Sequence, residues 1–189
     1  MEQNSGYIRL AADLETDSIV NGPGLRAVLW TQGCGHHCEG CQNAQTWDFE
    51  GGGLVSIDAV LEAIDELEYQ SGLTISGGDP MYQPEACKEI AEYARNKGLN
   101  IWVYTGFTYE QILKMAEKKP VYRKFLENTD ILVDGKFIQS KRNLSLLFRG
   151  STNQRLIDVQ KSLKSGKVEL LNEYEYNEEK VFERVPMFV

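Results

Sequence analysis

Eleven residues from Gly33 to Asn43, GCGHHCEGCQN, carry Cys34, Cys38 and Cys41 in the spacing CxxxCxxC. Three thiolates in one short, glycine-punctuated loop can grip a single inorganic core. Thiolates are soft ligands that select zinc, Cu(I) or iron–sulfur clusters, and an ordinary [4Fe-4S] cluster takes four of them, one per iron. With three, one iron stays open, and an open metal position is where chemistry happens, as in catalytic zinc sites. The competing set is a Cys3His zinc tetrahedron that adds His36 or His37. Structural zinc sites usually draw ligand pairs from separated segments, whereas these candidates lie within eight residues and the histidines are adjacent. The spacing favours a cluster, with His36 and His37 as donors around it or as solvent-facing loop residues. The remote Cys87 falls with Ile90, Ala91 and Ala94 on one face of a predicted helix. It is expected to pack there as a small hydrophobe.

A second motif, Gly77-Gly78-Asp79-Pro80, follows the apolar run Leu73 to Ser76. Glycines at a strand end let backbone amides and carbonyls approach a ligand closely, and Asp79 is suited to accept from an ammonium group. Alone, the motif reads equally well as a tight turn. One βα unit after a three-cysteine loop, it gains weight as the second wall of a site.

These motifs need elements to hold them. Tyr7 to Leu14 and Leu25 to Thr31 read as strands separated by Asn21-Gly22-Pro23-Gly24, so the cysteine loop leaves the C-terminal end of a strand. Ligand sites sit at that end in α/β sheets and barrels. After Gly51-Gly52-Gly53, the stretch Ser56 to Tyr69 has apolar residues at helical spacing with Ser56 as N-cap. Pro84 to Lys97 is a helix closed by Gly98, Leu99 to Thr105 a strand, and Thr108 with Gln111 a capping box for the next helix. Ile131 to Val133 is a further strand running into Asp134-Gly135. The repeated order strand, glycine turn, helix indicates parallel βαβ units. Four or five such strands are too few to close an eight-stranded barrel, so the expected fold class is α/β, a partial (open) βα barrel with a mostly parallel sheet and helices on its outer face. Beyond Gly135, Leu146 to Arg149 and Arg155 to Val159 are candidate short strands and Asp158 to Lys164 a candidate helix start. The expected division is a domain over residues 1–166 and an acidic, aromatic tail over 167–189, laid on the domain or contacting a partner.

Composition narrows the class. A chain of 189 residues, 42% hydrophobic and 25% charged, has the balance of one soluble globular domain. No secretory succession opens it and no apolar run approaches the length of a bilayer, so a cytoplasmic protein without a membrane role is expected. A net charge of −8 disfavours nucleic acid as a partner. Between Gln139 and Lys167 the sign reverses, with seven basic residues against Asp158 alone. That stretch reads as a solvated face or as a docking surface for an anionic partner. Three clustered cysteines and one remote do not make a disulfide framework.

Together the cysteine loop and the glycine turn resemble the radical S-adenosylmethionine superfamily. More closely, the chain resembles the activating proteins of anaerobic ribonucleoside-triphosphate reductase, in NGPGLR (Asn21 to Arg26), GCGHHCEGCQN, Thr46-Trp47, SGGDP (Ser76 to Pro80), WVYTGF (Trp102 to Phe107), LVDGKF (Leu132 to Phe137) and RGSTNQRLID (Arg149 to Asp158). The resemblance implies a [4Fe-4S] cluster on Cys34, Cys38 and Cys41, with S-adenosylmethionine chelating the open iron. Gly77, Gly78 and Asp79 would hold its methionine amine, and Gly40, Cys41 and Gln42 would line the adenine side. It further implies reductive cleavage to methionine and a 5′-deoxyadenosyl radical, which abstracts hydrogen from a glycine of the reductase large subunit. A flavodoxin or ferredoxin is the implied electron donor. Sister expectations are an activator of pyruvate formate-lyase or a small-molecule radical enzyme, and the different-class alternative is a structural zinc module. In the superfamily the residue before the third cysteine is often aromatic; here it is Gly40, which shifts adenine recognition to backbone contacts of Gln42 and Asn43.

Overall fold

The computed structural model describes residues 6–174. Eight strands form one sheet: β1 (Tyr7–Leu10), β2 (Glu15–Ser18), β3 (Arg26–Thr31), β4 (Gly53–Ser56), β5 (Gly72–Gly77), β6 (Asn100–Tyr104), β7 (Ile131–Asp134) and β8 (Arg155–Asp158). The helices are α1 (Ile57–Asp65), α2 (Pro84–Asn96), α3 (Tyr109–Lys118), α4 (Val121–Glu127) and α5 (Val159–Ser165). Strand order is β4-β1-β3-β5-β6-β7-β8, with β2 paired to β3 outside that path. The four central strands β3, β5, β6 and β7 run parallel, joined by helical crossovers as the glycine-turn pattern requires. On the flanks β1, β2, β4 and β8 pair antiparallel, so the parallel part is the middle of the sheet rather than its whole.

The central strands are apolar runs because both faces are covered. Leu29, Ile75, Val103 and Leu132 face the helices, where they pack with Ile64, Ile90, Ile112 and Phe125. On the other face Trp102, Ile131, Val133 and Leu156 pack with Tyr104, Phe148, Leu171 and Tyr174. Arg26 is buried on β3, donating to Thr74 Oγ1 at 2.7 Å and to the carbonyls of Leu73 and Asn100 at 2.9 and 2.8 Å. Its guanidinium lies 5.5 Å from the Trp102 ring centre. Burial lowers its pKa to about 10.

Several local expectations hold. The Ser56 hydroxyl accepts from the Ala59 amide at the start of α1, and Thr108 with Gln111 forms a complete capping box on α3. Asp158 caps α5 through the Lys161 amide. Others do not. The first strand stops at Leu10, α1 ends at Asp65 rather than Tyr69, and Leu146 to Arg149 is bent, irregular chain, with Phe148 at φ 59°. Phe148 leaves the strand conformation to set its ring 5.4 Å from that of Trp102. The start of the expected tail runs beside β8, where Leu170 bridges to Ile157; its remaining part, residues 175–189, lies outside the described residues. No helix among the described residues is long and apolar enough to cross a membrane.

Where the parallel strands end, Asp134 is 1% exposed and accepts from the Tyr109 amide and from Nε of Arg155, whose guanidinium also holds Glu110. Replacing Arg155 strands a buried carboxylate. Arg155→Met is expected to lower unfolding free energy by about 2–3 kcal/mol, below the full cost of a wholly buried pair because the guanidinium is partly solvated. Urea denaturation followed by circular dichroism measures the difference.

Candidate functional site

The cysteine loop leaves β3 at the level where β5 ends, because their parallel register continues to the last pair, Thr31 with Gly77. Backbone bonds then close the loop on itself: Gly33 N–H donates to the Thr46 carbonyl at 2.8 Å, Cys34 N–H to Trp47 at 3.1 Å and Cys41 N–H to Cys38 at 3.1 Å. Gly33 takes φ 98°, and a Cβ there would strike the Phe49 ring at 2.6 Å. The Thr46 hydroxyl donates to the Asn43 carbonyl at 2.7 Å and closes the short helical turn Ala44–Thr46.

The loop faces the next strand end at backbone contact distance. Gly78 N–H donates to the Thr31 carbonyl at 2.7 Å and Asp79 N–H to the Gly33 carbonyl at 2.9 Å. A Cβ on Gly78 would lie 2.4 Å from the Gly33 oxygen, and one on Gly77, at φ 107°, 2.4 Å from the Thr31 oxygen. Between loop and strand ends lies an open cavity. Cys34, Cys38 and Cys41 form one wall, Ser76, Gly77 and Gly78 the next, and Tyr104, Thr105 and Gly106 a third. Gly135, Phe137, Gln154, His36 and Trp47 complete the lining.

Cys34 is buried, while Cys38 and Cys41 are partly exposed. Burial pushes the Cys34 thiol up to about 11, and burial together with the neighbouring Cys41 pushes Cys38 up. Loading such a site with metal must expel thiol protons, so the metal's charge supplies what the surrounding protein does not. No three His, Cys, Asp or Glu side chains among the described residues converge as a single ion would need. In a multi-iron cluster each of the three thiolates would take a different iron. Tyr104 is one of the lining residues; its hydroxyl is buried, has no hydrogen-bond partner and feels the Arg26 charge, and burial raises its pKa.

Of the residues singled out in the sequence, Cys34, Cys38, Cys41, Gly77 and Gly78 come together on this cavity. Gly40, at φ 70°, lies on the loop's outer turn, with Gln139 pressed against it, and Gln42 is exposed; neither lines the cavity. Asp79 lies beside the lining, not in it, and its carboxylate accepts from Met81 N–H at 2.9 Å, the Thr105 hydroxyl at 2.9 Å, Gly106 N–H at 2.9 Å and His36 Nε2 at 2.8 Å. His37 is exposed, at φ 47°, with its ring 4.9 Å from that of Trp47. Cys87 is fully buried among the helices, in the core and away from the cavity. Residue-by-residue reading did not single out Tyr104, Thr105, Gly106, Phe137 and Gln154 as site residues. Their signal was position: each lies at or just beyond the C-terminal end of β6 or β7, or, for Gln154, just before β8.

Residues 20–157 match the family described as a 4Fe-4S single cluster domain. The chain is 40% identical over 147 residues to the anaerobic ribonucleoside-triphosphate reductase-activating protein of Enterobacteria phage T4, covering 73% of this chain and 86% of that one. It is 36% identical over 146 residues to the protein of that name from Haemophilus influenzae, covering 72% and 89%. Against the one from Escherichia coli K12 it is 35% identical over 144 residues, covering 72% and 90%.

Gly78→Ala places a methyl group against the Gly33 carbonyl and is expected to push the cysteine loop off the strand ends. Iron retained after anaerobic reconstitution and desalting is expected to fall to less than about half of the wild-type value, in line with overpacking costs of about 1–3 kcal/mol. Gly53→Ala, in the extended backbone of β4 and with nothing within 4 Å of its Cβ, should leave iron retention unchanged.

Proposed function

The chain belongs to the family of anaerobic ribonucleoside-triphosphate reductase-activating proteins, and from that premise we propose that it is a radical S-adenosylmethionine activase that installs the glycyl radical of that reductase. Bound in the cavity, a [4Fe-4S] cluster with S-adenosylmethionine supplies one-electron cleavage of a sulfonium C–S bond, and with it a radical strong enough to take hydrogen from a glycine of the partner.

The observation that supports the reading is the meeting of three cysteines, the glycine end of β5 and the end of β6 around one opening. Cys34, Cys38 and Cys41 hold the cluster and leave one iron without a protein ligand. Gly77 and Gly78 line the same cavity with bare backbone and let the cysteine loop lie against the end of β5, since a side chain at either would strike Thr31 or Gly33. Ser76 offers a hydroxyl for the polar groups of the bound sulfonium compound, and Gly40, Cys41 and Gln42 would lie toward the adenine as the resemblance implies, Cys41 from the cavity wall and the other two from outside it. Trp47 and Phe137 narrow the cavity and keep water from the reacting centre. The same reading makes the sheet an open, partial barrel, the electron donor a flavodoxin or ferredoxin, and the cytoplasm the place of action.

Anaerobic reconstitution, then dithionite with S-adenosylmethionine, is expected to release methionine and 5′-deoxyadenosine. Adding the reductase large subunit should produce a glycyl radical visible by electron paramagnetic resonance. Cys34→Ala, Cys38→Ala and Cys41→Ala should each drop release to background, whereas Cys87→Ala should leave it within about twofold, because its buried side chain shrinks by one sulfur atom without touching the cavity. A colourless, zinc-loaded chain that cleaves nothing would contradict the reading.

A further inference from the structure

We propose that His36 is a positioning residue whose ring, bonded to Asp79, locks the cysteine loop onto the glycine turns after β5 and β6 and so sets the direction in which the cavity opens. The proposal deepens the functional reading above and depends on it for the identity of the ligand, but not for the lock itself.

His36 lies between Cys34 and Cys38, yet its side chain is only 7% exposed and its Nε2 stands 2.8 Å from Oδ2 of Asp79, itself 1% exposed. A carboxylate can only accept, so Nε2 is the donor. The other donors on Asp79 come from two further segments: Met81 N–H from its own turn, and the Thr105 hydroxyl with Gly106 N–H from the turn after β6. Four donors fill the two oxygens of a buried carboxylate. Asp79 therefore works by gathering three loops, and the groups left to meet a ligand are those that line the cavity.

The ring has a seat shaped for it. Phe107 meets it edge-on at 4.5 Å between ring centres, and a Cβ on Gly106 would lie 2.4 Å from its Cδ2 and 2.6 Å from its Nε2. Glycine at 106 is thus what lets imidazole reach Asp79. Tyr82 lies near it too, with ring centres 6.0 Å apart, and its hydroxyl would stand 2.6 Å from a Cβ on Gly35. A surface histidine needs none of these accommodations.

The test compares His36→Gln, whose amide nitrogen can reach the position of Nε2, with His36→Asn, whose shorter amide cannot. In the cluster-free chain, hydrogen exchange of the amides from Gly33 to Asn43 and from Gly77 to Met81 is expected to quicken about tenfold in H36N and to stay within about threefold of wild type in H36Q, as befits loss of one hydrogen bond to a charged group. Far-UV circular dichroism separates this loosening from unfolding. In the reconstituted chain, H36N should keep its iron but need about tenfold more S-adenosylmethionine to change the electron paramagnetic resonance spectrum of the reduced cluster. Gly106→Ala should reproduce the H36N exchange pattern, and the double variant should add nothing, since both remove one contact. Unchanged exchange in H36N, equal impairment in H36Q, or additive losses in the double variant would overturn the proposal. If the wild-type spectrum ignores S-adenosylmethionine, the functional reading fails while exchange still decides the lock.

Discussion

The site depends on one close approach, the backbone of Gly78 lying against the carbonyl of Gly33. Parallel pairing between β3 and β5 holds register to their last residues, so the cysteine loop and the Gly77-Gly78 turn leave the sheet side by side. Two hydrogen bonds, from Gly78 to Thr31 and from Asp79 to Gly33, then extend the ladder past the strands. Any Cβ at 77 or 78 would lie 2.4 Å from a backbone oxygen, well inside van der Waals contact. The glycines serve the loop as much as any ligand: they let an inorganic centre and its neighbouring groups share one floor.

Around that contact the two faces of the sheet do different work. The helical face is an apolar layer from α1 to α4, with Cys87 as an ordinary packed member. On the opposite face, polar and aromatic side chains alternate: Arg26 beneath Trp102, then Tyr104 at the cavity, with Phe148 and Tyr174 closing the lower part. Burying Arg26 is tolerable because its donors are met by Thr74 and two strand carbonyls. On the same face the buried Tyr104 hydroxyl has no hydrogen-bond partner.

The helical and cysteine signals were legible because each rests on neighbours in the chain. The Thr108–Gln111 box, the Ser56 cap and the CxxxCxxC spacing are local, and so is the apolar stripe that buries Cys87. What was hidden depends on partners distant in sequence. The segment Glu15–Ser18, ETDS, has no apolar alternation and becomes β2 only by pairing with β3. Gly53–Ser56 follows a glycine run that reads as a break, but β1 recruits it as an edge strand. Leu146 to Arg149 has strand composition and is diverted because Phe148 finds Trp102. For the site, the type of residue was readable and its direction was not. Asp79 has the charge to meet an ammonium group, yet Thr105, Gly106 and His36 claim its oxygens. Only the tertiary fold reveals that Tyr104 reaches the same opening as the three cysteines.

The central claim is that the polypeptide supplies three sulfur ligands to a four-iron cube and leaves the last iron to a small molecule. Mössbauer spectroscopy of the iron-57-reconstituted chain tests this directly, with and without S-adenosylmethionine. The account predicts three irons in like surroundings and one distinct, with the distinct one alone changing its isomer shift when the sulfonium compound is added. Four equivalent irons that ignore the addition would contradict it.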